Sequence, residues 1–103
     1  MIARVWHGRT RAEHAAEYAD YMRRTGVKAH RATAGNRGSM IFHRVSGEVA
    51  DFYVISLWES LDAIEAFAGE DPEVAVYFPE DERYLLELEP GCLHYEVPVF
   101  EVG

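Results

Sequence analysis

Polar and apolar residues alternate over residues 2–8, "IARVWHG". That pattern predicts a strand with Ile2, Arg4 and Trp6 on one face and Ala3, Val5 and His7 on the other. Thr10 with Glu13 three residues later has the form of a capping box, so a helix is expected from there to about Arg24. Its apolar stripe is Ala12, Ala15, Ala19 and Met22 with Tyr18 beside them, and Gly26 offers a C-terminal stop. Residues 27–38 read as a loop. Two strands follow, "SMIFHRV" (39–45) and "DFYVISLWE" (51–59), joined around Ser46-Gly47-Glu48. The second is apolar on both faces, with Phe52, Val54 and Trp58 on one side and Tyr53, Ile55 and Leu57 on the other. Ser60 is placed to cap a helix whose inward face is Leu61, Ile64, Phe67 and Ala68. Asp71-Pro72 opens a turn, Pro79 interrupts it, and "EDERYLLELE" resumes helical character. Pro90-Gly91 makes a turn into a last strand, "CLHYEVPVFEV" (92–102).

The order is βαββαβ in a single domain, residues 1–103. This is an α+β, ferredoxin-like arrangement: a four-stranded antiparallel sheet with its helices on one face. One layer of helices covers one face only. A strand that is apolar on both faces needs cover on both, and a homodimer packed sheet to sheet supplies it.

Composition narrows the function. Hydrophobic residues make up 49% of the chain, as in a globular protein. A net charge of -8 disfavours phosphate backbones and anionic membrane surfaces as partners, so neither nucleic acid nor a membrane is expected. One stretch runs the other way. Residues 28–44 carry Lys28, Arg31, Arg37 and Arg44 and no acid, either as a solvated loop or as a rim that steers an anionic small molecule. The single cysteine, Cys92, excludes an intrachain disulfide and suits a reducing compartment, so the cytoplasm is the expected location. No apolar run reaches the length of a membrane helix, and the first residues lack a signal-peptide core.

The five histidines show no metal spacing, so no metal site is expected. No GxSxG elbow is present, and "AGNRG" lacks the spacing of a phosphate loop. The acidic runs read as solvated helix faces. His43 and His94 lie in strands, where a histidine commonly serves as a satisfied core group. His14 and His30 read as surface positions.

Several features together resemble the antibiotic biosynthesis monooxygenase family of the dimeric α+β barrel superfamily. They are Trp58-Glu59-Ser60 leading to Ala66-Phe67, the βαββαβ order, and "HYEV" at His94–Val97. The likeness extends to a subgroup with "RATAGNRG" (Arg31–Gly38) and "YFPEDERYLLELEP" (Tyr77–Pro90). It implies the homodimeric barrel and, in one branch, a monooxygenase that uses neither metal nor flavin on an aromatic or polyketide-like molecule. In that case Trp6, Trp58, Phe67, Tyr77 and Phe78 would wall an aromatic slot. His7, His43 or His94 would serve as base, and Tyr77, Tyr95 or Arg83 would donate to an oxyanion. The haem-degrading branch carries a tryptophan where this chain has Phe67, a haem histidine where it has Tyr77, and a first-strand asparagine near Trp6 or His7. All three are replaced, which counts against haem degradation of that type. A haem-binding protein using a Tyr77 phenolate stays open, as does a non-catalytic dimeric ligand-binding or stress-associated module.

Overall fold

The computed structural model describes all residues, Met1–Gly103. Four strands form one antiparallel sheet: β1 (Ile2–Arg11), β2 (Asn36–Ser46), β3 (Val49–Trp58) and β4 (Leu93–Glu96), in the spatial order β2-β3-β1-β4. That is the ferredoxin-like α+β arrangement the sequence predicts. The β2–β3 hairpin turns at Gly47, whose φ of 62° only glycine adopts freely.

The first helical segment departs from expectation at both ends. β1 does not stop at Gly8. It runs to Arg11, so Thr10 is a fully buried strand residue paired with Ala50. Its hydroxyl donates to the Arg11 carbonyl and caps nothing. The capping box therefore does not form. The helix instead starts as a 3-10 turn at Ala12–His14, and the Ala12 N–H finds the Glu48 carbonyl at 2.8 Å. From there it continues as α1 (Ala15–Met22), a π-helical segment (Arg23–Val27) and α2 (Lys28–Ala32). Gly26 lies inside this run and ends nothing. The helix ends at Ala32 with Thr33 already extended, and the chain then turns at Gly35, φ 91°, where an added Cβ would also collide with the Cβ of Ala63.

Downstream, Ser60 caps α3 (Leu61–Ala68) as expected, its Oγ accepting from the Ala63 N–H at 3.2 Å. Ile64 is fully buried, whereas Leu61, assigned inward by its spacing, is exposed. Only Asp81–Tyr84 of the second acidic stretch is helical (α4), and the final strand is four residues long.

The core lies between the inner sheet face and the helices, around Tyr18, Tyr21, Phe52, Val54 and Tyr84. Tyr18 packs edge-on against Phe52 with ring centroids 5.3 Å apart. Its hydroxyl donates to Asp81 Oδ1 at 2.7 Å, while Asp81 Oδ2 accepts from the Phe78 N–H at 2.6 Å. Tyr21 joins the same turn by accepting from the Glu80 N–H at 2.9 Å. The outer sheet face has no such cover. Met40, Phe42, Tyr53, Leu93 and Tyr95 are all exposed there.

Two glycine substitutions separate the turn that follows the helical run from the apparent stop within it. Gly35→Ala is expected to cost about 1–3 kcal/mol through backbone strain at positive φ. Gly26→Ala is expected to be neutral or stabilising by up to about 1 kcal/mol, because its Cβ meets only Phe78 at an ordinary 3.8 Å. Urea unfolding of the two variants measures both.

Candidate functional site

A cavity opens between the inner sheet face and the helices. β1 and β3 supply its floor through Arg4, Val54 and Ser56; α1, the π segment and α2 supply one wall, and Phe67 with residues 76–78 the other. Its room for solvent is about 60 Å³, enough for a few water molecules, within an envelope of about 540 Å³ that includes the open mouth. Burial orders the lining by depth. Arg4, His30, Ser56 and Cys92 are buried at the bottom, whereas Trp6, Phe67, Tyr77 and Phe78 are half-buried toward the mouth. The site has a polar floor and an aromatic rim.

The rim is locally built. Trp6 shares its strand face with Gly8, and its indole lies over that glycine, where any Cβ would collide with the ring. Trp6 Nε1 donates to the Tyr77 hydroxyl at 3.2 Å, and the rings meet edge-on at 6.2 Å. The Tyr77 hydroxyl in turn donates to the Glu89 carbonyl. Burial pushes the Tyr77 phenol up from its ordinary value. Its proton is thus held by a carbonyl, in surroundings that favour the neutral phenol.

Two residues at the bottom carry the distinctive chemistry. His30 is 6% exposed, not on the surface as its place in a presumed loop suggested. Its ring is edge-on to Phe67 at 4.5 Å and to Trp58 at 5.7 Å. Nδ1 lies 2.8 Å from Ser39 Oγ, while Nε2 has no partner in the chain and is not sealed off by protein. Burial, and then the nearby Arg4 charge, lower its pKa to about 4, so it is a neutral imidazole at physiological pH. The second residue is Arg4, 4% exposed. It donates to the Pro72 and Val74 carbonyls and to His94 Nε2 at 3.1 Å, and it pairs with no carboxylate. Burial lowers the Arg4 pKa, and burial followed by the Arg4 charge lowers that of His94.

Of the residues singled out from sequence, Trp6, Phe67, Tyr77 and Phe78 meet in the cavity, and His94 borders it through Arg4. The others lie elsewhere. Trp58 is fully buried beneath the site, stacked on Phe67 at 5.9 Å with Nε1 donating to Ser56. His43 is exposed on edge strand β2, against Phe52. Tyr95 is exposed on the outer sheet face, because register places it opposite Ala3. Arg83 is exposed on α4 and paired with Glu80. His7 also faces outward, between Glu89 at 2.7 Å and Asp51 at 3.0 Å. Sequence reasoning missed His30 and Arg4. The available signal for His30 was its place in a four-residue series with Met22 and Gly26, hidden by taking Gly26 as a stop.

No family model and no curated protein matches the chain. Among solved structures, it is similar to a mutant of MhuD with two manganese protoporphyrin IX bound per active site, at 18% identity and a TM-score of 0.64. It is also similar to the heme-degrader MhuD from Mycobacterium tuberculosis with two hemes bound in its active site, at 19% identity and a TM-score of 0.59. Both matches cover 100% of each chain. At such identity the likeness is one of fold.

The His30 imidazole makes stability depend on acid. Below about 6.5 the unfolded chain takes up a proton that the folded chain refuses until about 4. Stability is therefore complete above that window and falls as pH drops through it, by on the order of 3 kcal/mol at most. His30→Gln should flatten this part of the profile in urea unfolding followed between pH 7 and 4.

Proposed function

We propose that this protein binds haem or a closely related porphyrin, as a haem-handling protein. One observation carries the reading: a neutral imidazole with an unpartnered Nε2 at the bottom of an aromatic-rimmed cavity. A histidine that ligates a metal commonly anchors its other ring nitrogen, as His30 is anchored beside Ser39. Its lowered pKa keeps the lone pair available. The porphyrins held by both solved neighbours support the same ligand class, and they favour it over the cofactor-free monooxygenase expected from sequence. Tyr77 is less suited to hold iron, because its hydroxyl proton is engaged by the Glu89 carbonyl.

The chain's groups fit a porphyrin in kind. His30 would hold the iron, and the aromatic rim would flank the ring. Bound iron would supply redox chemistry. The cavity is far below the roughly 300–1,000 Å³ of small-molecule sites. Binding therefore requires the walls of the cavity to move apart.

Haemin titration tests the reading. A saturable Soret shift is expected, displaced or abolished in His30→Ala and retained in Tyr77→Phe. No shift with the unmodified protein overturns it.

We also propose that two copies pack through the outer sheet face. Its support is the exposed apolar array of Met40, Phe42, Tyr53, Leu93 and Tyr95, surface that a monomer rarely leaves uncovered over such an extent. Light scattering should give twice the chain mass, and Tyr53→Glu should lower it toward a monomer.

A further inference from the structure

Arg4 is a buried cation without a counter-ion in a chain that has acids to spare, 18 against 10 Lys and Arg. At the surface Arg9, Arg11, Arg23, Arg24, Arg37 and Arg83 each pair with a carboxylate. Arg4, buried beneath the cavity, has none. Removing an unpaired charge from water is costly unless hydrogen bonds or an opposite charge offset it.

The hydrogen bonds account for only part of the guanidinium. Both hydrogens of Nη1 are used, on the Pro72 carbonyl and on His94, and one hydrogen of Nη2 is used on the Val74 carbonyl. The Nε–H and the second Nη2 hydrogen have no acceptor in the chain. In a guanidinium the Nε–H and its neighbouring Nη hydrogen form the edge that receives both oxygens of a carboxylate. Nε is not among the sealed, unpartnered atoms of the chain, and Arg4 lines the cavity. The carbonyls and His94 thus fix the plane of the guanidinium while leaving its Nε–H without an acceptor. Near it the floor offers the neutral His30 and the Cys92 thiol, whose pKa burial pushes up. Neither carries a charge that competes for the site.

We propose that Arg4 is the anion anchor of this cavity, receiving the carboxylate of an aromatic acid whose ring lies against the rim of Trp6, Phe67 and Phe78. A carboxylate matches the polar floor, and an aromatic ring matches the half-buried aromatic rim. The assignment goes beyond the haem reading and does not rest on it, since it concerns the charge at the inner end of any ligand.

The probe is benzoate, with benzamide as its neutral counterpart of the same shape. Both are titrated into the intact protein by heteronuclear NMR, following the Arg4 Nε–H and the Trp6 indole N–H. Benzoate should bind saturably and benzamide about tenfold more weakly or worse. Arg4→Gln should reduce benzoate to the benzamide level, and Arg4→Lys should retain part of the preference. Equal binding of the two probes, no binding of benzoate, or unchanged benzoate affinity in a folded Arg4→Gln protein overturns the assignment. If Arg4→Gln does not fold, the benzoate–benzamide comparison on the unmodified protein decides alone. A missing Soret shift with haemin leaves this result untouched, and a missing benzoate response leaves the haemin titration untouched.

Discussion

The bond from the Tyr18 hydroxyl to Asp81 ties the first helical run to the short helix α4 across the core. A helix of four residues cannot persist by itself, because its nucleation is unfavourable and its intrahelical bonds are few. Here α4 persists because Asp81 accepts twice, from the Tyr18 hydroxyl and from the Phe78 N–H just outside the helix, while Tyr21 accepts from Glu80. Burial, followed by the bond to Asp81, pushes the Tyr18 phenol up, so it stays a donor. This small buried network fixes Phe78 and Tyr77, and through them the mouth of the cavity. Tyr18 and Asp81 both line that cavity, so the contact that anchors α4 also shapes the site.

The cavity separates its chemistry by depth. Groups that need stabilisation against water loss lie on the floor, where strand backbone and neighbouring side chains hold their geometry. Flat apolar surface lies at the rim, where it is half-wet and able to meet a ligand. His30 and Arg4 are complementary within the floor: one is kept uncharged by burial and by the other's charge, and the other keeps its charge through three acceptors. A ligand entering here meets a soft donor and a hard cation side by side.

Much of this was legible in the sequence. Period-two alternation gave the faces of β1 and β3, because strand geometry admits no other reading of Trp6 or Phe52. The Ser60 cap was legible because its partner lies three residues away. The aromatic rim was named from family resemblance and does assemble, at Trp6, Phe67, Tyr77 and Phe78. What was not legible depended on distant parts of the chain. Thr10 followed the sheet because Ala50 and Leu85 pair with it across long separations, overriding a local capping signal. Gly26 was read as punctuation, although its backbone is helical and its position faces the cavity. Tyr95 and Arg83 have suitable chemistry, but register and helix phase turn them outward. The burial of Arg4 has no local signature, since an arginine alternating in a strand looks the same whether or not later residues fold over it.

Tyr18, Met22, Gly26 and His30 all line the cavity at intervals of four residues. A regular α-helix cannot keep such a series on one side, since each four-residue step overshoots a full turn by about 40°. The wider π-helical turn at Arg23–Val27 takes up that drift. The length of this stretch is therefore as informative as its composition. Loss of one residue between Arg23 and Val27 would restore an ordinary helix with the imidazole about three turns beyond Tyr18, still on the cavity side. Straightening the wide turn with its length unchanged would instead carry the imidazole about 120° round from Tyr18, out of the cavity although no residue had been replaced.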